Sequence, residues 1–171
     1  MSEGITANQL VAGVVAIQQV TVEILHADII ALPTTSIIIV EAPETSKALR
    51  YRLATITTNW EEVDNYDNID PSANIGFYYG AEEANASARG LQGTLTALFA
   101  NSQPITVEFP VVSNVDLIGG TLLPTETVVN SYAEREIRLA MFNGAAGNLT
   151  GGNAANKLIV TVEYSEINLS L

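Results

Sequence analysis

From Val20 onward the apolar residues of this chain recur at every second position, and that period suits one kind of secondary structure. Val20, Val22 and Ile24 alternate with Thr21 and Glu23, as a strand with one dry and one wet face requires. Leu158, Val160, Val162 and Tyr164 repeat the pattern near the C-terminal end. Between them lie Ala48–Thr58, with Leu49, Tyr51 and Leu53 on one face and Arg50 and Arg52 on the other. A strand bounded by glycine is read at 74–80, and further strands at 94–99, 105–109, 111–117 and 136–142. Helical periodicity is nearly absent. About eight strands separated by turn signals predict an all-β domain, a β-sandwich or jelly roll.

The run Ser36-Ile37-Ile38-Ile39-Val40 is apolar on both faces. It predicts a central strand or one covered by a partner subunit, because an uncovered run of this kind invites aggregation. Asp28–Leu32 reads as a short second piece stopped by Pro33. Residues 61–72 form an acidic loop with an Asp70-Pro71 turn signal, and 81–89 suit one or two helical turns. Residues 143–156, rich in Gly, Ala and Asn, are expected to stay outside the packing.

Residues 1–19 carry two readings. Asn8 caps a short helix through Val11, Val14 and Val15, or the segment is an extended arm lying along a neighbour, which Gly13 and the Val content favour. The chain thus divides into an arm or short helix over 1–19 and a sandwich domain over 20–171.

A chain of 171 residues should bury roughly 70% of its unfolded surface, enough for a core without disulfides or metals. There is no cysteine, which removes thiolate chemistry and thiolate metal sites. The net charge of −12 opposes binding to phosphate backbones and anionic membranes. Only 15% of residues are charged, against about 25% in ordinary domains, so Thr, Ser, Asn and Ala must finish the surface. That surface suits extensive contact with other subunits. No apolar stretch reaches the length of a membrane span, and the Met-Ser-Glu-Gly start is not that of a signal peptide. The sequons at Asn85, Asn148 and Asn168 read as chance matches.

Chemistry finds little purchase. His26 is the one histidine, so a transition-metal site lacks its usual second ligand. No Gly-x-Ser-x-Gly turn is present. Glu61-Glu62 and Glu82-Glu83 are adjacent pairs, which point apart on a strand and rarely cooperate. In the loop 64–70 the EF-hand pattern fails at Tyr66 and Ile69, leaving only an irregular oxygen site for calcium. No catalytic residue, cofactor or metal is assigned. Arg50 and Arg52 pair either with carboxylates across a subunit contact or with cross-strand neighbours.

The order of residues resembles small accessory proteins encoded with the structural genes of tailed phages. The likeness runs through Glu23-Ile24-Leu25, Asp28-Ile29-Ile30-Ala31-Leu32, Ile37 to Pro43, and the strand opening at Lys47-Ala48. It continues in Asn74 to Gly80 and in Gly151-Gly152-Asn153 leading to Leu158 through Tyr164. It covers about 20–80 and 136–167, and the chain departs from it at 81–135 and at the N-terminal segment. The resemblance implies a virion protein of capsid-cement, decoration or head-fibre-base type, with a β-sandwich core and trimeric assembly. It implies the major capsid protein as partner and the capsid surface as location after synthesis in the host cytoplasm. The candidate contact residues are Leu10, Val11, Val14, Ile37, Ile39, Arg50, Arg52, Trp60 and Tyr66. A second reading is a tail or head-fibre module for host glycans, with Trp60 and Tyr66 as a sugar platform. A carboxylate-dependent hydrolase is the third.

Overall fold

The structure, a computed structural model, describes residues 16–60, 65–80, 92–94, 98–99, 104–110, 117–118, 121–122 and 134–168. Its strands are β1 (Gln18–Leu25), β2 (Ile37–Val40), β3 (Lys47–Asn59), β4 (Tyr66–Asp67), β5 (Asn74–Tyr79) and β6 (Gln92–Thr94), followed by β7 (Thr106–Pro110), β8 (Leu117–Ile118), β9 (Thr121–Leu122), β10 (Ile137–Phe142), β11 (Thr150–Gly151) and β12 (Lys157–Asn168). A helix, α1, spans His26–Ala31.

Two four-stranded antiparallel sheets run β1-β12-β3-β7 and β2-β10-β5-β6. Counted along the chain, the eight strands of these sheets pair first with last, second with seventh, third with sixth and fourth with fifth. A long antiparallel ribbon rolled in this way is the jelly roll. The fold is therefore all-β, as the period-two pattern predicts. Short ribbons β11-β4 and β8-β9 sit outside the two sheets.

The inner faces follow the alternation. Val160 stands between Val22 and Ile56, and Val162 between Val20 and Ala54. From the second sheet come Ile75, Phe77, Ile137, Leu139 and Met141, all in the same buried cluster. Burying a large apolar side chain contributes about 1.5–3 kcal/mol, so this shared core holds the sheets together. The outer face of the first sheet is finished with threonines. Thr161 lies between Thr21 and Thr55 in the register, and the hydroxyls of Thr21 and Thr161 bond at 3.0 Å and of Thr57 and Thr106 at 2.8 Å.

Several expectations need correction. Asp28–Leu32 belongs largely to α1, which buries Ile29 and is capped by Leu32 just before Pro33. β2 is an edge strand, not a central one. Its pairing skips Ile39, because Val40 faces Ile137 while Ile38 faces Arg138. That bulge lets both Ile39 and Val40 turn inward while Ile38 stays 37% exposed. A second bulge breaks the parity of β3. Tyr51 faces Tyr164 and Leu53 faces Glu163, so Arg52 is the extra residue. Tyr51 is buried before the bulge and Ala54, Ile56 and Thr58 after it, while Leu53 is half-exposed.

The segment 143–156 is packed after all, with Asn143, Leu149 and Asn156 buried. Of the strand expected over 94–99, Thr94 ends β6 (Gln92–Thr94), Leu98 and Phe99 are helical, and 95–97 lie outside the described residues. The arm residues Leu10, Val11 and Val14 lie outside the described residues, and β1 takes up residues 18 and 19 of the proposed arm. The expectations for 81–89 and 111–116 also lie outside them. Among the described residues no helix is long and apolar enough to cross a membrane.

Candidate functional site

The strands set up two ends of the sandwich. β1 and β3 run in the same direction, since both are antiparallel to β12. Leu25 and Asn59 therefore lie at one end, level with Lys157. The loops 65–73 and 143–156 gather there with α1. Gln18, Lys47 and the Arg50–Arg52 stretch lie toward the other end.

At the loop end an aromatic cluster closes the core. Trp60 packs on Tyr66 with ring centroids 5.4 Å apart, and Phe99 meets both, at 6.1 Å and 5.5 Å. His26 stacks on Tyr66 at 5.7 Å, and its Nδ1 lies 3.1 Å from the tyrosine hydroxyl. Burial pushes that hydroxyl up to about 12, against a hydrogen bond from Asn156 that works the other way. Gly152 (φ +72°) has to be a glycine here, because a Cβ would sit 2.5 Å from the Tyr66 ring. Trp60 and Tyr66, 7% and 3% exposed, are thus core residues and form no sugar platform. Ile39 is buried as well. None of the three presents a side chain to a partner in this conformation.

Next to this cluster, Asn143 clasps two loops together. Its Nδ2 donates to the carbonyls of Asn68 (2.8 Å) and Gly147 (2.5 Å), and its Oδ1 accepts from the Asp70 N–H at 2.9 Å. Asn68, at φ +63°, returns the contact through its Nδ2 to the carbonyls of Ala146 and Asn148, both at 2.7 Å. This polar packing has no apolar periodicity, which is why it was not legible in the sequence.

Asp70 shapes its own turn. Its Oδ1 accepts from the Ser72 hydroxyl and from the Ser72 N–H. These bonds, the hydroxyl foremost, hold the carboxyl below the usual aspartate range. A carboxyl depressed in the folded state contributes stability above its unfolded pKa, about 3.9. That contribution is lost as pH falls through the lower folded value. Asp70→Asn should therefore flatten the acid limb: thermal midpoints between pH 5 and pH 2 should fall less steeply than in wild type. Parallel curves for the two proteins would contradict this role. Among the described residues no three acidic or histidine side chains converge there, and Asp64 of the 64–70 loop lies outside them.

The opposite end carries both signs of charge, with Lys47, Arg50 and Arg52 beside Glu44 and Glu166. Arg50 and Arg52 are exposed, on either side of buried Tyr51. Tyr51 is held at both ends: its N–H donates to the Tyr79 hydroxyl at 2.8 Å, and its own hydroxyl donates to the Phe109 carbonyl. Burial raises that hydroxyl well above the usual tyrosine range. Lys47, Arg138 and Lys157 are each engaged, with Glu44 and Glu166, with Glu136, and with Glu23 respectively. Glu44 first and then Glu166 raise the Lys47 ammonium above its ordinary value. Arg50 and Arg52 have no such carboxylate among the described residues, so the cross-strand pairing considered for them is not made there.

A cleft of about 290 Å³ opens beside the edge of β2, between the 32–36 turn and Ala140–Met141 of β10. Its polar side chains are Thr34, Thr35 and Ser36. The Thr34 hydroxyl donates to the Ala31 carbonyl, and Asn148 Oδ1 lies 3.0 Å away. Among the described residues no titratable group lines this cleft.

No protein-family model matches the chain, and no curated protein does. A solved structure of Cocksfoot mottle virus is similar over 91% of this chain and 94% of its own, with 13% identity and a TM-score of 0.33. At that score the likeness carries no argument about function. What remains for function is the geometry: two-sheet packing, a threonine-finished outer face, a clasped loop end with exposed Asp28 and Asp67, and a cationic pair at the far end.

Proposed function

We propose that this chain is a structural protein of a phage virion, a cement or decoration protein that binds the outside of the head as a homotrimer and stabilises it. It acts by binding and not by catalysis. The observation that carries the reading is the jelly-roll pairing of the eight strands, an architecture used by viral capsid and lectin domains. Fold alone does not assign function. The strand-by-strand resemblance to tailed-phage accessory proteins supplies the direction. The low charged fraction and the hydroxyl-rich outer sheet fit broad contact with other subunits, where affinity comes from buried area and a few anchors. The major capsid protein is the proposed partner, the capsid surface the proposed location and the host cytoplasm the proposed place of synthesis.

The test adds purified protein to phage heads that lack it. Saturable binding and greater resistance of the heads to heat or chelator are expected. Failure to bind at micromolar protein would remove the proposal. The glycan-binding alternative has lost its aromatic platform to the core, and nothing else at the described surface favours it.

A further inference from the structure

Two exposed arginines, Arg50 and Arg52, stand at the end of the first sheet away from the loops 65–73 and 143–156, on a stretch of backbone that is held in place. We propose that Arg50 and Arg52 form a docking clamp for the acidic loop end of a second copy of this chain, around Asp28 and Asp67, so that copies join head to tail. The inference deepens the homotrimer reading and rests on it for the number of copies in the ring.

Three observations support the clamp. The two arginines are exposed on one rigid stretch, since Tyr51 between them is fixed by hydrogen bonds from both its backbone and its hydroxyl. Its ring also packs on Phe77 at 5.7 Å. A clamp ordered beforehand loses less entropy on binding. Second, Arg52 is the extra residue of a bulge, a device that re-aims side chains where strand pairing is interrupted. Third, in a chain of net charge −12 these two cations have no carboxylate partner among the described residues, whereas Lys47, Arg138 and Lys157 do.

The occupant follows from charge and placement. Asp28 on α1 and Asp67 on β4 are both exposed, and the stacking of His26 on Tyr66 brings their elements together. From Arg52 to Trp60 the chain rises roughly 26 Å at the usual strand spacing, so the clamp and its target lie at opposite ends. Joining opposite ends of identical subunits gives a heterologous contact, which closes into a ring or continues as a filament. Arginine suits the task, because its planar fork grips a carboxylate with two hydrogen bonds.

The experiment uses the full chain and sedimentation velocity at low salt. Wild type should associate, and raising sodium chloride from about 50 to 500 mM should weaken the association about tenfold or more by screening. The double variant Arg50→Ala/Arg52→Ala should raise the dissociation constant at least tenfold while its circular dichroism stays that of wild type. Arg50→Glu/Arg52→Glu alone and Asp28→Arg/Asp67→Arg alone should stay monomeric, yet associate when mixed. Unchanged association of the alanine variant, or a wild type that is monomeric throughout, overturns the clamp. Binding to phage heads is measured separately: a monomeric wild type that still coats heads overturns the clamp and leaves the cement reading standing.

Discussion

Phe77→Ala should lower the stability of the sandwich by about 3–5 kcal/mol, the range for deleting a buried phenylalanine. Phe77 is 2% exposed on β5, between β10 and β6. Its ring meets Tyr51 at 5.7 Å and Phe109 at 5.5 Å, the latter edge-on, so it joins the second sheet to two strands of the first. Tyr51 is not free to fill the space, since its hydroxyl is hydrogen-bonded to the Phe109 carbonyl. Small domains have only about 5–15 kcal/mol in total, so the urea midpoint should drop by a large fraction. Phe77→Leu should fall between the two proteins. A loss under about 1 kcal/mol for the alanine variant would mean the core relaxes around the gap and the ring does not bridge the sheets.

Asn143→Ala should be the costliest polar change, at about 2–4 kcal/mol. It leaves the Asp70 N–H and two carbonyls without their side-chain partner, and each buried group so stranded costs about 1–3 kcal/mol. The sum is held down because part of the clasp reaches solvent. Asn143→Asp should not rescue it at neutral pH. The carboxylate keeps the bond from the Asp70 N–H but faces the Asn68 and Gly147 carbonyls without a proton to give. Equilibrium unfolding gives the size of the loss. Amide exchange should show faster exchange at Asp70 than in wild type, and an unaltered Asp70 rate would place the loss elsewhere.

Both residues bear on what could be read beforehand. The alternation around Val20–Ile24 and Leu158–Val162 was legible because a half-buried strand writes its two faces directly into the sequence. Phe77 was placed on a strand by the glycine-bounded apolar run 74–80, which is buried on both faces. α1 was not legible, since six residues are too few to display a 3.6-residue period. The bulges at Ile39 and Arg52 shift parity by one residue, and nothing in the residue types announces such a shift. The loop end misled for a different reason. Trp60 and Tyr66 stand beside acids in the sequence, which suggested exposure, but their rings are drawn inward by Phe99 and His26. Asn143 replaces apolar burial with hydrogen bonds, so a search for hydrophobic pattern passes over it. Of the candidate contacts, Arg50 and Arg52 are at the described surface, Ile37 is half-buried at the β2 edge, and Ile39, Trp60 and Tyr66 are interior.

The place of β12 between β1 and β3 has a consequence for how the molecule is made. Until that strand leaves the ribosome, β1 has no partner in its sheet and β3 has none on the side β12 takes. Roughly 100 residues separate β3 from β12. At about 5–20 residues per second this is an interval of roughly 5–20 s, during which two long, β-branched edges stand open. The first sheet cannot zip up progressively during translation. β3 can pair with β7 early, but β1 and β12 enter the sheet in one late event that commits distant parts of the chain together.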